Sequence, residues 1–167
     1  MLLLPGCSRA IVPDDPRISQ DEALIETLPR LEFAQRTVGG KWQNLDLGSQ
    51  SCTLPSGAVG SMQAATRLGP GVPKADQEAI LESIAKDWTR AGRPPIRSKL
   101  PVIRGVEVTR LRYPGGAQED DDVYLEFQIA DTATSVDSRT RCVVDTADDD
   151  AAEDERNEPA PEPPIRG

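Results

Sequence analysis

The first regular pattern along the chain predicts an amphipathic helix that begins near Ser19. Glu22 follows Ser19 by three residues, which is the spacing of a capping box that satisfies free backbone N–H groups at a helix start. Pro29 lies inside the pattern and predicts a kink or a break, and Gly39 and Gly40 predict the end of the helix. Behind the cap, leucines recur at helical spacing at Leu24, Leu28 and Leu31.

A second helix is predicted between Pro73 and Gly92. Proline suits the first turn of a helix, where its missing N–H costs nothing, and glycine suits the position just past the end. The apolar residues of this segment form one stripe that is typical of a helix covering a sheet: Ile80, Leu81, Ile84, Ala85 and Trp88.

Four segments carry the pattern of β-strands. They read KWQNLDLGSQSCTL, LPVIRGVEVTRLRYP, VYLEFQIADT and SRTRCVVDT, and the third alternates strictly between apolar and polar residues. The intervening PSGAVGSMQAATRLGPGVP is rich in turn residues and is interpreted as a loop. The predicted fold class is therefore α+β: two helices packed on a largely antiparallel β-sheet of about four strands, in the order α-β-α-β-β-β.

Charge divides this chain into a nearly neutral body and an acidic end. Lys and Arg total 19 against 28 Asp and Glu, and nine of these acids lie from Asp145 onward. The end also contains several prolines and almost no large apolar residue, so it cannot bury enough surface to offset the entropy of ordering. We expect an α+β domain across 19–145 and a disordered acidic tail across 146–167. The net charge of −9 disfavours binding to nucleic acid.

The opening LLLPGC resembles the end of a bacterial lipoprotein signal. In that signal a leucine three positions before a cysteine and a small residue just before it mark the site of lipidation, and Leu4, Gly6 and Cys7 fit the pattern. Residues 1–18 are interpreted as a truncated signal, the lipidation site Cys7 and a tether, with a start codon upstream. The predicted partner is the cell membrane. A lipid on Cys7 is expected to anchor the protein to the outer face of that membrane. The alternative is a cytosolic protein with an apolar N-terminus.

The three cysteines support an exported protein. Once Cys7 is set aside for lipid, Cys52 and Cys142 remain as an even pair. Disulfides persist in oxidising compartments outside the cytoplasm. The sequence therefore predicts a Cys52–Cys142 disulfide.

The arrangement of these features resembles small actinobacterial lipoproteins of the LppA type. The resemblance rests on Cys7, Trp42, Cys52, Cys142 and the PEPP motif at 161–164. It implies export, a lipid anchor and an α+β domain. It supplies no catalytic residues, because the activity of that family is obscure.

Nothing in the sequence nominates a catalytic site, a metal site or a cofactor. The chain has no histidine, which removes the commonest general base and metal ligand. The Ser-x-x-Lys spacing of Ser83 and Lys86 lacks its companion motifs, and the acidic run at 119–122 lacks the spacing of a calcium loop. We therefore expect no enzyme activity and no cofactor.

The expected function is a lipid-anchored, non-catalytic interaction or ligand-binding module of the cell envelope, with an envelope protein or a small molecule as partner. The alternatives are a small hydrolase that uses a carboxylate pair and a purely structural envelope lipoprotein.

Trp88 and Phe127 are expected in the core. Arg110, Arg112 and Tyr113 form the one basic cluster with an aromatic residue, which predicts a solvated strand face, or else contact with an anionic partner or with the acidic tail.

Overall fold

The structure is a computed structural model that describes residues 18–54, 56–114 and 122–144. The predicted lipidation site Cys7, the predicted tail 146–167 and most of the acidic run 119–122 lie outside the described residues. Within them, the α+β class, the two helices and the antiparallel sheet are as predicted.

Helix α1 spans Gln20–Val38 and begins with the predicted capping box. The side chain of Ser19 accepts from the backbone N–H of Glu22, and Glu22 accepts in return from the Ser19 backbone at 2.9 Å. The helix continues through Pro29 without the predicted break. Proline removes the hydrogen bond to the carbonyl of Ile25, but Ile25 is 70% exposed, so water can replace that bond.

Helix α2 spans Lys74–Arg90 and buries the predicted stripe. Leu81, Ile84 and Trp88 are each no more than 2% exposed. The chain then turns at Gly92, whose φ of +79° lies in the left-handed region that glycine adopts without strain. The apolar periodicity of this helix and the residues at its two ends therefore predicted both its position and its buried face.

Over the residues that the structure describes, the sheet contains six strands rather than about four. They are β1 Gln43–Thr53, β2 Val59–Pro70, β3 Ile96–Lys99, β4 Thr109–Tyr113, β5 Tyr124–Ile129 and β6 Ala133–Arg139. The spatial order is β1-β2-β6-β5-β4-β3, and every neighbouring pair is antiparallel. The chain order is therefore α-β-β-α-β-β-β-β.

Three sequence interpretations of the strands were wrong. The segment interpreted as a loop contains β2, whose buried positions hold small or polar residues such as Ser61, Ala64 and Arg67 and so lack an apolar pattern. The segment interpreted as one strand contains a turn and then β4, whereas β3 precedes that segment and was not predicted. The last strand ends at Arg139, upstream of most of the segment predicted for it.

The core lies between the helices and one face of the sheet. Leu125, Phe127 and Ile129 of β5 have no exposed surface, as the strict alternation of that strand predicts. They pack with the buried stripe of α2 and with Leu31 of α1. Trp88 and Phe127 are core residues, as expected.

The predicted disulfide is present. Cys52 near the end of β1 is bonded to Cys142, with 5.9 Å between their Cα atoms and 90 residues between them in sequence. Gly60 lies opposite Cys52 in the ladder, and a Cβ there would collide with the carbonyl oxygen of Val143. The close approach requires glycine, and it lets the chain after β6 lie against β2 beside the disulfide.

Both ends of the described domain meet beside this disulfide. Gln20, at the start of α1, is hydrogen-bonded to the side chains of Ser61 and Gln63. Val143, close to the last described residue, exchanges two backbone hydrogen bonds of 2.9 Å with Ser61. The chain therefore enters and leaves the domain at one end of the sheet.

Candidate functional site

The candidate site is a groove between α2 and the β3–β4 hairpin, which we call the α2–β3 groove. Its volume is about 250 Å³, just below the range of roughly 300–1,000 Å³ in which drug-sized ligands bind. One wall is α2, with Lys74, Gln77, Glu78 and Leu81. The other wall comes from β3, β4 and the loop between them, with Arg97, Lys99, Leu100, Val102, Glu107, Val108 and Thr109.

Two ion pairs cross this groove. In one of them the cation is on the hairpin wall, and in the other it is on α2. Arg97 of β3 donates two hydrogen bonds of 2.6 Å to the carboxylate of Glu78 on α2. Lys74 of α2 donates one of 2.9 Å to Glu107, just before β4. The hydrogen bond from Arg97 lowers the pKa of the Glu78 carboxyl, and that from Lys74 lowers the pKa of the Glu107 carboxyl. The groove thus offers both a cation and an anion at its rim.

Part of the groove lining is apolar. Leu81 belongs to the buried core, and Leu100, Val102 and Val108 continue the apolar lining on the hairpin wall. The loop reverses at Arg104 and Gly105, with φ of +52° and +80°, and leaves Ile103 70% exposed at its tip. A small amphipathic ligand is the chemistry that such a lining accommodates.

The α2–β3 groove and the disulfide lie at opposite ends of the sheet. Cys52 pairs with Gly60, where β2 has just begun, whereas Lys74 follows shortly after β2 ends at Pro70. Thr109, which lines the groove, pairs with Ile129 at the end of β5. The groove therefore opens away from the end at which the chain enters and leaves.

The face of the sheet opposite the helices is polar, and we call it the open face. It carries Arg110 and Arg112 of β4, while Tyr113 alternates to the helical side and packs against the core. The predicted basic cluster is therefore divided between two faces. The centre of the open face holds an acidic pair, Glu126 and Asp137, which are directly opposite on β5 and β6. Arg110 forms an ion pair of 3.7 Å with Glu126.

Hydrogen bonds surround both carboxylates of this pair. Glu126 accepts from Tyr124 at 2.6 Å and from Gln128 at 2.5 Å. Asp137 accepts from Thr66 at 2.6 Å. Burial raises the pKa of the Asp137 carboxyl, and the charge of Glu126 raises it further, against the opposing effect of the hydrogen bonds that Asp137 accepts.

A testable consequence concerns Tyr124. Burial, followed by the hydrogen bond to Glu126, raises the pKa of Tyr124 to about 12. Because the folded value exceeds the unfolded value of about 10, the neutral phenol stabilises the fold below pH 10, and this contribution is lost as the pH rises from about 10 to 12. The chain has two tyrosines. We expect a phenolate absorbance titration to show a step near pH 12 that Tyr124→Phe removes. A step that persists in the variant would contradict the assignment.

A second polar cluster joins the two helices to the end of β6. Glu26 of α1 accepts two hydrogen bonds of 3.0 Å from Arg141 and forms an ion pair of 3.3 Å with Arg93. Beside it, Arg30 of α1 pairs with Asp87 of α2 at 3.1 Å. These contacts fix how the helices cross, and no spacing in the sequence indicates them.

Comparisons with known proteins support the fold. No family model matches this chain, and no curated protein matches it. A crystal structure of a DUF4853 family protein from Actinomyces odontolyticus ATCC 17982 is similar, with a TM-score of 0.55 and 20% sequence identity. The match covers 81% of this chain and 75% of that chain. At this identity the likeness shows a shared fold.

Several residues that the sequence motifs singled out lie outside any cluster of functional groups. Ser83 and Lys86 are on α2, with Lys86 exposed to solvent. No group of three or more histidine, cysteine, aspartate or glutamate side chains is arranged for a metal within the residues that the structure describes. None of the helices described there is long and apolar enough to cross a membrane. No pattern in the sequence indicates the groove or the acidic pair, because each joins residues that are distant along the chain.

Proposed function

We propose that this protein is a lipid-anchored, extracytoplasmic binding module of the bacterial cell envelope, without catalytic activity, similar to lipoproteins of the LppA type. The observation that carries the proposal is the Cys52–Cys142 disulfide. A bond of this kind persists outside the cytoplasm and is rare inside it. It leaves Cys7, in its lipidation-like context, as the remaining cysteine.

The arrangement of the domain supports an anchored binding module. The chain enters the domain beside the disulfide, so a lipid on Cys7 would attach at that end. The α2–β3 groove opens at the other end, where it would face away from the attachment point. We propose that its ligand is a small amphipathic molecule with both charges, because the lining combines Arg97 and Glu78 with apolar side chains such as Leu81 and Leu100.

The anchoring half of the proposal is tested by the mass of the peptide that contains Cys7, taken from membranes of the native host. We expect a diacyl- or triacylglyceryl group on a chain that starts at Cys7. An unmodified Cys7 preceded by residues 1–6 would overturn the anchor and reopen the choice of compartment.

The binding half is tested with zwitterionic Leu-Leu, which presents an ammonium, a carboxylate and two apolar side chains. We expect amide chemical shifts to change across residues 74–81 and 97–109, with a dissociation constant on the order of 1 mM. Acetylated and amidated Leu-Leu, which lacks both charges, should bind at least about tenfold more weakly.

Two matched variants assign that binding to the groove. Arg97→Gln removes the guanidinium at the rim and should abolish the preference for the charged dipeptide. Arg112→Gln removes a similar charge from the open face and should leave binding unchanged. If neither dipeptide shifts the groove residues, or if both variants behave alike, the groove is not the site.

The acidic pair on the open face favours a second candidate, a hydrolase that uses two carboxylates. Glu126 and Asp137 are cross-strand neighbours in different surroundings, and the pKa of Asp137 is raised, as a general acid requires. In this case the protein would release reducing ends from purified cell-wall polysaccharide, and Glu126→Gln or Asp137→Asn would each stop the release. Absence of release by the unsubstituted protein would remove this candidate.

A further inference from the structure

The two edges of the sheet differ in how well they are protected against further pairing. At one edge, β3 is only four residues long and carries Arg97 and Lys99. Prolines 94, 95 and 101 lie just outside it. Short length, cations and proline are the devices by which proteins keep an edge strand from adding another strand.

The opposite edge, β1, lacks most of these devices. It is 11 residues long, with a sequence of QNLDLGSQSCT that contains neither lysine nor proline. Its one charged residue, Asp46, forms an ion pair with Arg67 of the neighbouring strand β2. In the described part of the chain, β1 pairs with β2 on one side and its other side is an open edge.

The side chains of β1 are apolar or uncharged where they are exposed, apart from the paired Asp46. Leu47 is 59% exposed and Leu45 37%, and Leu68 of β2, beside them, is 42% exposed. A bulge between Asp46 and Gly48 places Leu47 outside the regular ladder and leaves the regular stretch from Gly48 to Thr53. Six residues are enough for an added strand to form a ladder of backbone hydrogen bonds.

We propose that β1 is an interaction edge at which a second copy of this chain adds its own β1, antiparallel, to form one sheet continuous across a twofold axis. A second copy suits this edge, because two identical β1 strands would not place unpaired charges against each other. The one charged residue of β1, Asp46, is already paired with Arg67. In a ladder centred on the stretch from Gly48 to Thr53, Leu47 of each copy would lie just beyond the paired residues, beside the end of the partner's strand, and would contribute apolar area there. At β3, by contrast, a second copy would meet a strand of only four residues that carries Lys99.

The proposal does not depend on the lipid anchor, and it is compatible with one. The twofold axis of an antiparallel edge pairing is perpendicular to the sheet, so the open faces of both copies lie on the same side. Both chains would then enter their domains at the same height relative to the sheet. Two lipid tethers could therefore reach one membrane.

The test uses the full chain with its disulfide and with Cys7→Ser, so that neither lipid nor a spare thiol contributes to association. We expect sedimentation to show a monomer–dimer equilibrium with a dissociation constant of about 100 µM or tighter. Leu45→Lys combined with Leu47→Lys should weaken it at least about tenfold, because lysine on an edge strand opposes the addition of another strand.

The matched control is Val102→Lys combined with Ile103→Lys, which exchanges two exposed apolar residues for lysine at the far edge and changes net charge equally. It should leave the dimer intact. Amide exchange on the unsubstituted chain gives a second measurement: amides of β1 should become protected as the concentration rises through the dissociation constant.

Three outcomes would overturn the proposal. The chain could remain monomeric at about 500 µM, which is well above the expected dissociation constant. The control could weaken the dimer as much as the β1 variant does. A dimer could also form without added protection of β1, which would place the interface elsewhere.

Discussion

Replacing Cys52 and Cys142 together with alanine is expected to lower the free energy of unfolding by about 4 to 5 kcal/mol. The disulfide closes a loop between residues 90 apart in sequence, and in the chain-entropy model a loop of that length restricts the unfolded chain by this amount. The bond also holds the segment after β6 against β2, where Val143 pairs with Ser61. Its loss should therefore loosen the end at which the chain enters and leaves.

Urea unfolding of the variant and of the parent measures this effect. Reducing the parent with a thiol should cause the same loss without any substitution, which separates the cross-link from the side chains. Cys7→Ser alone is the control and should leave the free energy of unfolding unchanged. A loss below about 1 kcal/mol on reduction would mean that the bond contributes little to the fold.

Phe127→Ala is expected to lower the free energy of unfolding by about 3 to 5 kcal/mol. Phe127 has no exposed surface and lies at the centre of the sheet, directly between Leu111 of β4 and Val136 of β6. Both helices cover this face, so the removed ring would leave a cavity that the surrounding strands cannot close. The loss combines transfer of the ring from water with the cost of that cavity.

The corresponding control is Val102→Ala. Val102 is 61% exposed on the hairpin loop, so its truncation should change stability by no more than about 0.5 kcal/mol. Phe127→Leu keeps most of the volume and should fall between the two. A loss below about 1 kcal/mol for Phe127→Ala would show that the core can collapse around the missing ring, contrary to the close packing described above.

The groove and the acidic pair show why candidate sites were the hardest part to predict. The groove wall from α2 and the wall from the hairpin are joined by Lys74 and Glu107, which are 33 residues apart. Glu126 and Asp137 oppose each other only because β5 and β6 pair in one particular register. A shift of one residue would send one of the two carboxylates to the core face.

Local sequence determined the elements whose apolar residues repeat with one clear period. The stripe of α2, the capping box of α1 and the alternation of β5 each predicted an element correctly, because burial of one face imposes that period on the residues. The pairing of Cys52 with Cys142 followed from the number of cysteines. These features depend on near neighbours or on composition, so no knowledge of the fold was needed.

Tertiary structure alone decided the rest. Strand β2 buries small and polar residues, so only its position between β1 and β6 makes it a strand. Helix α1 continues through Pro29 because exposure lets water satisfy the freed carbonyl and because packing on the sheet offsets the lost hydrogen bond. The sheet order, the open edge at β1 and the groove at the far end arise from contacts between distant residues. These contacts contribute stabilising free energy only in the folded chain, so no local sequence pattern indicates them.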